Sequence, residues 1–298
     1  MSLGQPGGAD DRFLSSATQH RTDHTKRWSA PQAGTRLMPI IVGLLIVQTA
    51  LHAQSPKIAA PIDLTGYWVS LITEDWRTRM LTAPKGDYYS IPLNAEGRRV
   101  ADTWDFAKDI AAGKQCMSYG APGVMRVPER LHITWENDTV LKLETDAGKQ
   151  TRLFSFNTIR LANAAPTMQG ISLAQWHSPQ LTRSYTSKLS AQDPNTPGFP
   201  GIGNTRTATP DTRKLGGTLR VVTTNLRPGY LRNNGVPYSA NTVLTEYYDV
   251  HGEYLVITQI VDDPQYLDVP WVTSNHFKRE PDGSKWDPRP CELIPPSK

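Results

Sequence analysis

Charged and aromatic side chains crowd one short segment of the chain, Leu71–Asn94 ("LITEDWRTRMLTAPKGDYYSIPLN"). The segment follows a predicted β-strand. A carboxyl group buried beside an aromatic ring can act as a general acid or base, because burial raises its pKa. We therefore regard Glu74 and Asp75, which precede Trp76, as candidate catalytic residues. The alternative interpretation is a solvated loop edge.

A second segment, Asn225–Ser239 ("NLRPGYLRNNGVPYS"), also follows a predicted strand and also mixes arginine with tyrosine. Arginine binds carboxylate or phosphate through paired hydrogen bonds, and Tyr and Trp offer large, rigid contact surfaces. If both segments lie at one end of a barrel, they form a rim for a small apolar or aromatic ligand, with or without an anionic head. Two loops that pack locally are the alternative. The predicted ligand-binding residues are Trp76, Arg77, Arg79, Tyr88, Arg227, Tyr230, Arg232 and Tyr238.

His132 is the third candidate catalytic residue. It alternates with Ile133 along a predicted strand, which indicates a polar face. With Asp75 as acid or base and Arg77 as anion stabiliser, it would serve a cofactor-independent lyase, isomerase or hydratase. A lone strand histidine is more often a surface residue. The sequence has no H-E-x-x-H or C-x-x-C signature and no G-x-S-x-G elbow, so we predict no metal and no cofactor.

The elements that would position these residues are mostly strands. Short runs rich in β-branched and aromatic residues, several of them alternating between apolar and polar, predict antiparallel strands. One helix is predicted over Asn94–Gly113, with Asn94 as its cap. The sequence therefore predicts an all-β fold, an antiparallel barrel or a sandwich with one short helix, and a small barrel leaves room for about one ligand. The predicted strands are Gly66–Thr73, Arg130–Asn137, Thr139–Asp146, Gln150–Phe156, Gly217–Leu226, Asn241–Val250 and Glu253–Asp263.

The first predicted strand opens with "DLTGYW" (Asp63–Trp68). Its Gly66-Tyr67-Trp68 resembles the Gly-x-Trp start of lipocalin-like barrels, in which the tryptophan closes one end and packs near a basic side chain of a late strand. The resemblance implies that Arg279, in "HFKRE", is that partner.

A wider part of the chain, 61–292, resembles exported bacterial β-proteins to which no function is assigned. The segments that carry this resemblance are "PKGDY", "MRVPERLHITW", "TLRVVTTNLRPGYLRNNGVPYS", "VDDPQYL" and "CELI" preceded by "KWDPRP". The resemblance implies an exported single-domain β-protein, and it supplies no catalytic residues.

The N-terminal residues 1–53 are predicted to be a leader followed by a secretory signal peptide. The apolar run Leu37–Ala53 follows basic residues and ends in a small residue before a polar stretch, which is typical of cleavage after Ala53. An uncleaved anchor is the alternative and would be the protein's one link to a membrane. The start is either Met1 or Met38. We expect a secreted or periplasmic protein with one domain over 54–298 and a flexible insertion at 190–217, rich in Pro, Gly and Thr.

Two cysteines, Cys116 and Cys291, lie in the predicted exported portion. An even pair in an oxidising compartment is most simply a disulfide. Without residues 1–53, 27 Lys and Arg face 25 Asp and Glu, and no basic cluster follows one face. The sequence therefore favours a small-molecule partner over nucleic acid.

Overall fold

A computed structural model describes residues 54–157, 164–177 and 216–297. These residues all fall within one unit of the chain, which spans 52–298. The predicted leader and signal peptide, and all but the last two residues of the predicted insertion at 190–217, lie outside the described residues.

In the described part of the chain, nine strands close into a barrel in the order β1-β11-β10-β9-β6-β5-β4-β3-β2, and β2 pairs again with β1. Neighbouring strands are antiparallel except β4 and β5, which are parallel. The predicted antiparallel β-barrel is therefore confirmed, and the sandwich is excluded. The strands are β1 Gly66–Leu71, β2 Arg130–Asn137, β3 Val140–Thr145, β4 Thr151–Ser155, β5 Ile171–His177, β6 Thr218–Thr224, β7 Gly229–Arg232, β8 Val236–Tyr238, β9 Val243–His251, β10 Tyr254–Asp262 and β11 Trp271–Glu280. The remaining pair, β7 and β8, forms a separate hairpin.

Alternation along the strands decides which side chains enter the barrel. In β10, for example, Leu255, Ile257 and Gln259 are buried, while the residues between them are partly exposed. The inward apolar residues of the strands build one core cluster. At one end of the barrel the guanidinium carbon of Arg279 lies 4.0 Å from the ring centroid of Trp68. The implied partner of Trp68 thus covers its ring, and membership of the lipocalin family stays a prediction.

The other end of the barrel is covered by connecting segments, which we call the cap: residues 72–129, 225–242 and 263–270. A second apolar cluster packs there, with Trp271 of β11 and Val236 of β8 among its members. In the described residues the helices are α1 Trp76–Met80, α2 Ala95–Ala101, α3 Phe106–Ala111 and α4 Ala121–Val124, with a 3-10 helix at Met117–Tyr119.

The helix predicted over Asn94–Gly113 is divided into α2 and α3. Asn94 caps α2 as predicted, since its Oδ1 accepts a hydrogen bond from Gly97 N at 2.8 Å. Asp105 starts a second helix, because its carboxylate accepts from Lys108 N at 3.1 Å. A side chain that caps a new helix competes with continuation of the preceding one.

The predicted disulfide is confirmed. Cys116 and Cys291 are bonded, with Cα atoms 5.1 Å apart and a sequence separation of 175. The bond ties the C-terminal tail, residues 281–297, to the cap. Two further contacts hold the tail, since Arg289 N donates to Asp146 O at 2.8 Å and Glu292 N donates to Tyr119 Oη at 3.2 Å.

None of the helices in the described residues combines the length and the apolar character needed to cross a bilayer.

Candidate functional site

The two arginine–tyrosine segments singled out in the sequence meet in the cap. Arg232 donates to Tyr89 O at 2.7 Å and to Ser90 Oγ at 3.0 Å. Asn234 Nδ2 donates to Asp87 O at 3.0 Å. The expectation that both segments lie at the same end of the barrel is therefore fulfilled.

The barrel beneath them is filled by side chains, which corrects the expectation of a hollow centre with room for one ligand. Below the cap lies a layer of polar side chains that we call the polar belt: Arg152, Ser172, Thr223, Glu246, Gln259 and Asn275, all of them buried. Its centre is the ion pair of Arg152 and Glu246, whose side chains are both 0% exposed. Arg152 Nη1 donates to Glu246 Oε1 at 2.9 Å. A buried charge of this kind is tolerated because each partner neutralises the other.

Hydrogen bonds connect the polar belt with the surface. Gln259 Nε2 donates to Glu246 Oε1 at 3.2 Å, and Asn275 Nδ2 donates to Gln259 Oε1 at 3.0 Å. Arg126 then donates to Asn275 Oδ1 at 3.2 Å and to Asp75 Oδ2 at 2.6 Å. An unbroken chain of polar contacts therefore runs from the barrel centre to one of the candidate catalytic carboxylates.

Asp75 has an unusual backbone conformation for a residue other than glycine. Its φ of 48° and ψ of 29° lie in the left-handed region, and its side chain makes no capping bond to α1. The carboxylate binds Arg126 instead. Glu74 binds the same guanidinium at 3.2 Å and also accepts from Ser274 N at 3.0 Å. Both candidate carboxylates thus serve as partners of one buried arginine.

His132 lies elsewhere. Its ring stacks on Tyr67, with ring centroids 4.1 Å apart, and Trp286 of the tail packs against both rings on the outer face of the barrel. Its Nδ1 is 3.4 Å from the carboxylate of Glu144. The structure therefore does not bring His132 together with Glu74 and Asp75, and the acid–base pair proposed from the sequence is not assembled.

A surface cleft of about 270 Å³ lies beside these carboxylates. We call it the Trp76 cleft, and it is lined by Asp75, Trp76, Arg77, Thr78, Asp87 and Tyr89. Its two aromatic residues are unusually open to solvent, since Trp76 is 64% and Tyr89 is 76% exposed. Arg77 reaches across the cleft to Asp87 at 3.3 Å and is itself largely exposed. An aromatic surface and a solvent-facing guanidinium therefore border one depression.

The lining of the Trp76 cleft carries one arginine, Arg77, and two carboxylates, Asp75 and Asp87. Arg77 pairs with Asp87, and Asp75 pairs with the buried Arg126, so each of these carboxylates already has a cationic partner. Two further arginines, Arg79 and Arg232, are buried near Asp75. Burial lowers the pKa of Arg79 and of Arg232 to about 10, and the charge of Arg126 adds to this lowering. Both therefore stay protonated at neutral pH.

The other predicted ligand-binding residues are placed differently. Tyr88 donates to Asp102 Oδ1 at 2.7 Å, and burial together with this bond raises its pKa to about 12. Tyr230 donates to the buried Asp109 at 2.9 Å, and burial and this bond raise its pKa as well. Both phenols hold the cap together. Tyr238 is buried in the second cluster, Arg79 and Arg232 are buried, and Arg227 is exposed.

A larger cleft, of about 410 Å³, lies between the barrel wall and the tail. We call it the tail cleft. Its walls include Val69 of β1, Tyr119, and Arg289 and Ile294 of the tail. Four acidic residues and two arginines line it, and Met80 is the α1 residue that borders it. The α1 helix therefore contributes to both clefts, with Trp76 in the lining of one and Met80 in the lining of the other.

Glu129, just before β2, carries a buried carboxyl group. Neither of its oxygens has a hydrogen-bond partner among the described residues. Burial raises its pKa well above the ordinary value, and the nearby Asp146 raises it further. Because an ionised carboxylate without partners is costly inside a protein, this group favours the protonated form.

Among the described residues, no three His, Cys, Asp or Glu side chains gather in a way that could hold a metal ion. Comparison of the chain with protein-family profiles, with curated proteins and with solved structures gives no match.

Two site residues, Arg126 and Tyr89, were not among the predicted site residues. Arg126 is the single charged residue of Tyr119–Pro128. Because a lone arginine in an apolar segment indicates a buried, paired charge, this pattern could have identified it. Tyr89 adjoins Tyr88, and the sequence offers no sign of which ring is exposed. Tyr89 directly precedes a turn at Ser90, whose φ is 65°.

Proposed function

We propose that this protein is an exported β-barrel protein that binds a small aromatic or apolar molecule carrying an anionic group, and that the Trp76 cleft is its binding site. The observation that carries the proposal is the pair of exposed rings, Trp76 and Tyr89, which border the same cleft as Arg77. Rigid rings provide contact area at a low entropic cost, and a guanidinium recognises carboxylate or phosphate.

The size of the cleft narrows the ligand class. A volume of about 270 Å³ lies just under the usual range for ligand pockets and suits a molecule with one or two rings. The tail cleft is larger, but the aromatic residue of its lining, Tyr119, is buried, so it is the weaker candidate for an aromatic ligand.

Export is supported by two observations of different kinds. The Cys116–Cys291 disulfide is typical of proteins that fold in an oxidising compartment. The apolar run Leu37–Ala53 behind basic residues is typical of a secretory signal peptide. We infer a secreted or periplasmic location from the two together.

The proposal can be tested with phenylacetate and indole-3-acetate as probes and the corresponding uncharged amides as controls. We expect the acids to bind more tightly than the amides in titration calorimetry, with NMR shifts at residues 75–89. Native mass spectrometry of protein purified from its host would identify a retained ligand. If acids and amides bind equally, or if neither binds, the anionic-ligand assignment is wrong.

Two matched pairs of variants locate the site. Tyr89→Ala should weaken binding of the acids about 3- to 10-fold, as expected for loss of an aromatic contact, whereas Tyr254→Ala removes another exposed tyrosine, on β10, and should leave binding unchanged. Arg77→Met should weaken it about 10-fold or more. Arg99→Met is its control, because Arg99 is similarly exposed and similarly ion-paired, with Glu96.

A further inference from the structure

Three buried arginines surround a small gap inside the cap, which adjoins the Trp76 cleft and shares Thr78 with its lining. Arg79, Arg126 and Arg232 are each 5 to 6% exposed, and all three line a gap of about 20 Å³. Ser118 and Asn233 complete part of its wall. A gap of this size holds about one particle of the dimensions of a water molecule.

The hydrogen bonds of the three guanidinium groups leave positive charge unmatched. Arg126 binds the carboxylates of Glu74 and Asp75. Arg79 donates only to the carbonyl oxygens of Arg126 and Met125, and its Nη1 is buried without any hydrogen-bond partner among the described residues.

Among the described residues, Arg232 donates only to the Tyr89 carbonyl and to Ser90 Oγ. The charges of Asp75 and Asp87 act on it from a longer distance and raise its pKa, against the lowering by burial. In the described part of the chain, no carboxylate oxygen lies within 4.0 Å of the Arg79 or the Arg232 guanidinium. Glu129 is the acidic residue whose charge most affects the pKa of Arg79, and burial raises the pKa of Glu129 well above its ordinary value, which favours the uncharged form.

Two other compensations are present, and both are weak. The guanidinium carbons of Arg126 and Arg232 each lie 5.8 Å from the ring centroid of Trp271, at the edge of the distance over which an aromatic face attracts a cation. Neither contact involves Arg79. A buried charge without a counter-charge destabilises a folded protein, so three clustered arginines call for an anion between them.

We propose that this gap binds one small inorganic anion of about the size of chloride, held by the guanidinium groups of Arg79, Arg126 and Arg232. The anion accepts a hydrogen bond from Nη1 of Arg79. It also neutralises the positive charge that the carboxylates of Glu74 and Asp75 leave uncompensated. It ties α1 to the β7 strand, because Arg79 belongs to α1 and Arg232 to β7. The site is independent of the ligand proposed for the Trp76 cleft.

Chloride-dependent stability tests the proposal. Thermal unfolding is measured in sodium chloride and in sodium gluconate at equal ionic strength, since gluconate is too large for the gap. We expect Tm to be about 3 °C higher in chloride. Arg79→Met should abolish this difference. Arg77→Met, two positions earlier on α1 and outside the gap, should retain it.

A crystallographic measurement on the unmodified protein decides the question even if Arg79→Met does not fold. Crystals soaked in sodium bromide should show an anomalous peak between the three guanidinium groups. Absence of that peak, with a water molecule at the position, overturns the proposal. A chloride effect on Tm that persists in a folded Arg79→Met variant also overturns it, because the stabilising ion must then bind elsewhere.

Discussion

At the end of the barrel that Trp68 and Arg279 close, the inward side chains are apolar, whereas toward the cap they are charged or hydrogen-bonding. Ile133 and Phe277 represent the first region, and Arg152 and Glu246 the second. The two regions share the same strands. The barrel is therefore stabilised by apolar packing at one end and by paired charges at the other. Both proposed binding sites lie near the charged end.

Breaking the ion pair of the polar belt should have the largest effect. Arg152→Met leaves Glu246 buried without its partner and should cost about 3–5 kcal/mol of unfolding free energy. Leu143→Met, at the position paired with Arg152 across β3 and β4, should cost less than about 1.5 kcal/mol. Urea unfolding measures both. If the two variants lose equal stability, the belt is not held by its charges.

A double variant tests whether the unpaired charge causes this loss of stability. Replacement of both partners, Arg152→Met with Glu246→Leu, should recover most of the lost stability, because no unpaired charge is then buried. A double variant as unstable as Arg152→Met alone would show that the hydrogen bonds around the pair matter more than its charges.

Removal of the disulfide should have the next largest effect, and it should be confined to the cap end. Cys116→Ser with Cys291→Ser should cost about 2–4 kcal/mol, because the bond closes a long loop. Hydrogen exchange should quicken in residues 117–129 and in the tail. The amides of Leu255 and Ile257, in the apolar region, should remain the slowest to exchange. If exchange quickens equally at both ends of the barrel, the two ends are not stabilised independently.

Glu129 gives the charged end a pH dependence that the apolar end lacks. Since its folded-state pKa is raised, its favourable contribution is fully present below its unfolded pKa, near 4.5, and is lost as pH rises through the folded value. Glu129→Gln should therefore stabilise the protein at neutral pH, by about 1 kcal/mol or more, because the amide removes the cost of keeping the carboxyl group protonated above its unfolded pKa. Urea unfolding at a series of pH values measures this gain, which should vanish below pH 4.5.

The control for Glu129 comes from the apolar region. Ile133→Val should cost about 0.5–1.5 kcal/mol at every pH at which the protein folds, because it removes a methyl group and no charge. A Glu129→Gln gain that is constant with pH would show that the carboxyl group has the same pKa in the folded and the unfolded protein.

The smallest effect on stability is expected at the Trp76 cleft. Trp76→Ala should change the unfolding free energy by less than about 0.5 kcal/mol, because most of its ring faces solvent. Binding of the aromatic acids should nevertheless fall. A large loss of stability would show that Trp76 is part of the packing of the cap.

Most of the barrel was predictable from local patterns. The strand predicted over Glu253–Asp263 is β10, and its alternation is clear because most of its inward residues are apolar. β11 was not predicted from its alternation, since the polar residues Thr273 and Asn275 occupy inward positions and hide the pattern. β5 was missed for a similar reason, because Ser172 and Ala174 are small inward residues.

The candidate site was predictable only in part. The sequence singled out the segments around Trp76 and Tyr230 as a rim on the condition that both lie at one end of the barrel, and the structure places both in the cap. The sequence did not indicate that Tyr230 would be bound to Asp109 while Tyr89 faces solvent. Side-chain direction in an irregular segment depends on turns and long-range partners that no periodicity encodes.

Local sequence patterns were sufficient to predict the all-β architecture and the disulfide between Cys116 and Cys291. They also identified the two segments that carry arginine and aromatic side chains. Each of these follows from residue type and local spacing. Two features became visible only in the folded protein: side chains fill the barrel, and Arg126 connects Asp75 to the polar belt through hydrogen bonds. Barrel closure sets which inward residues face one another, and buried charges must find partners among residues distant in sequence.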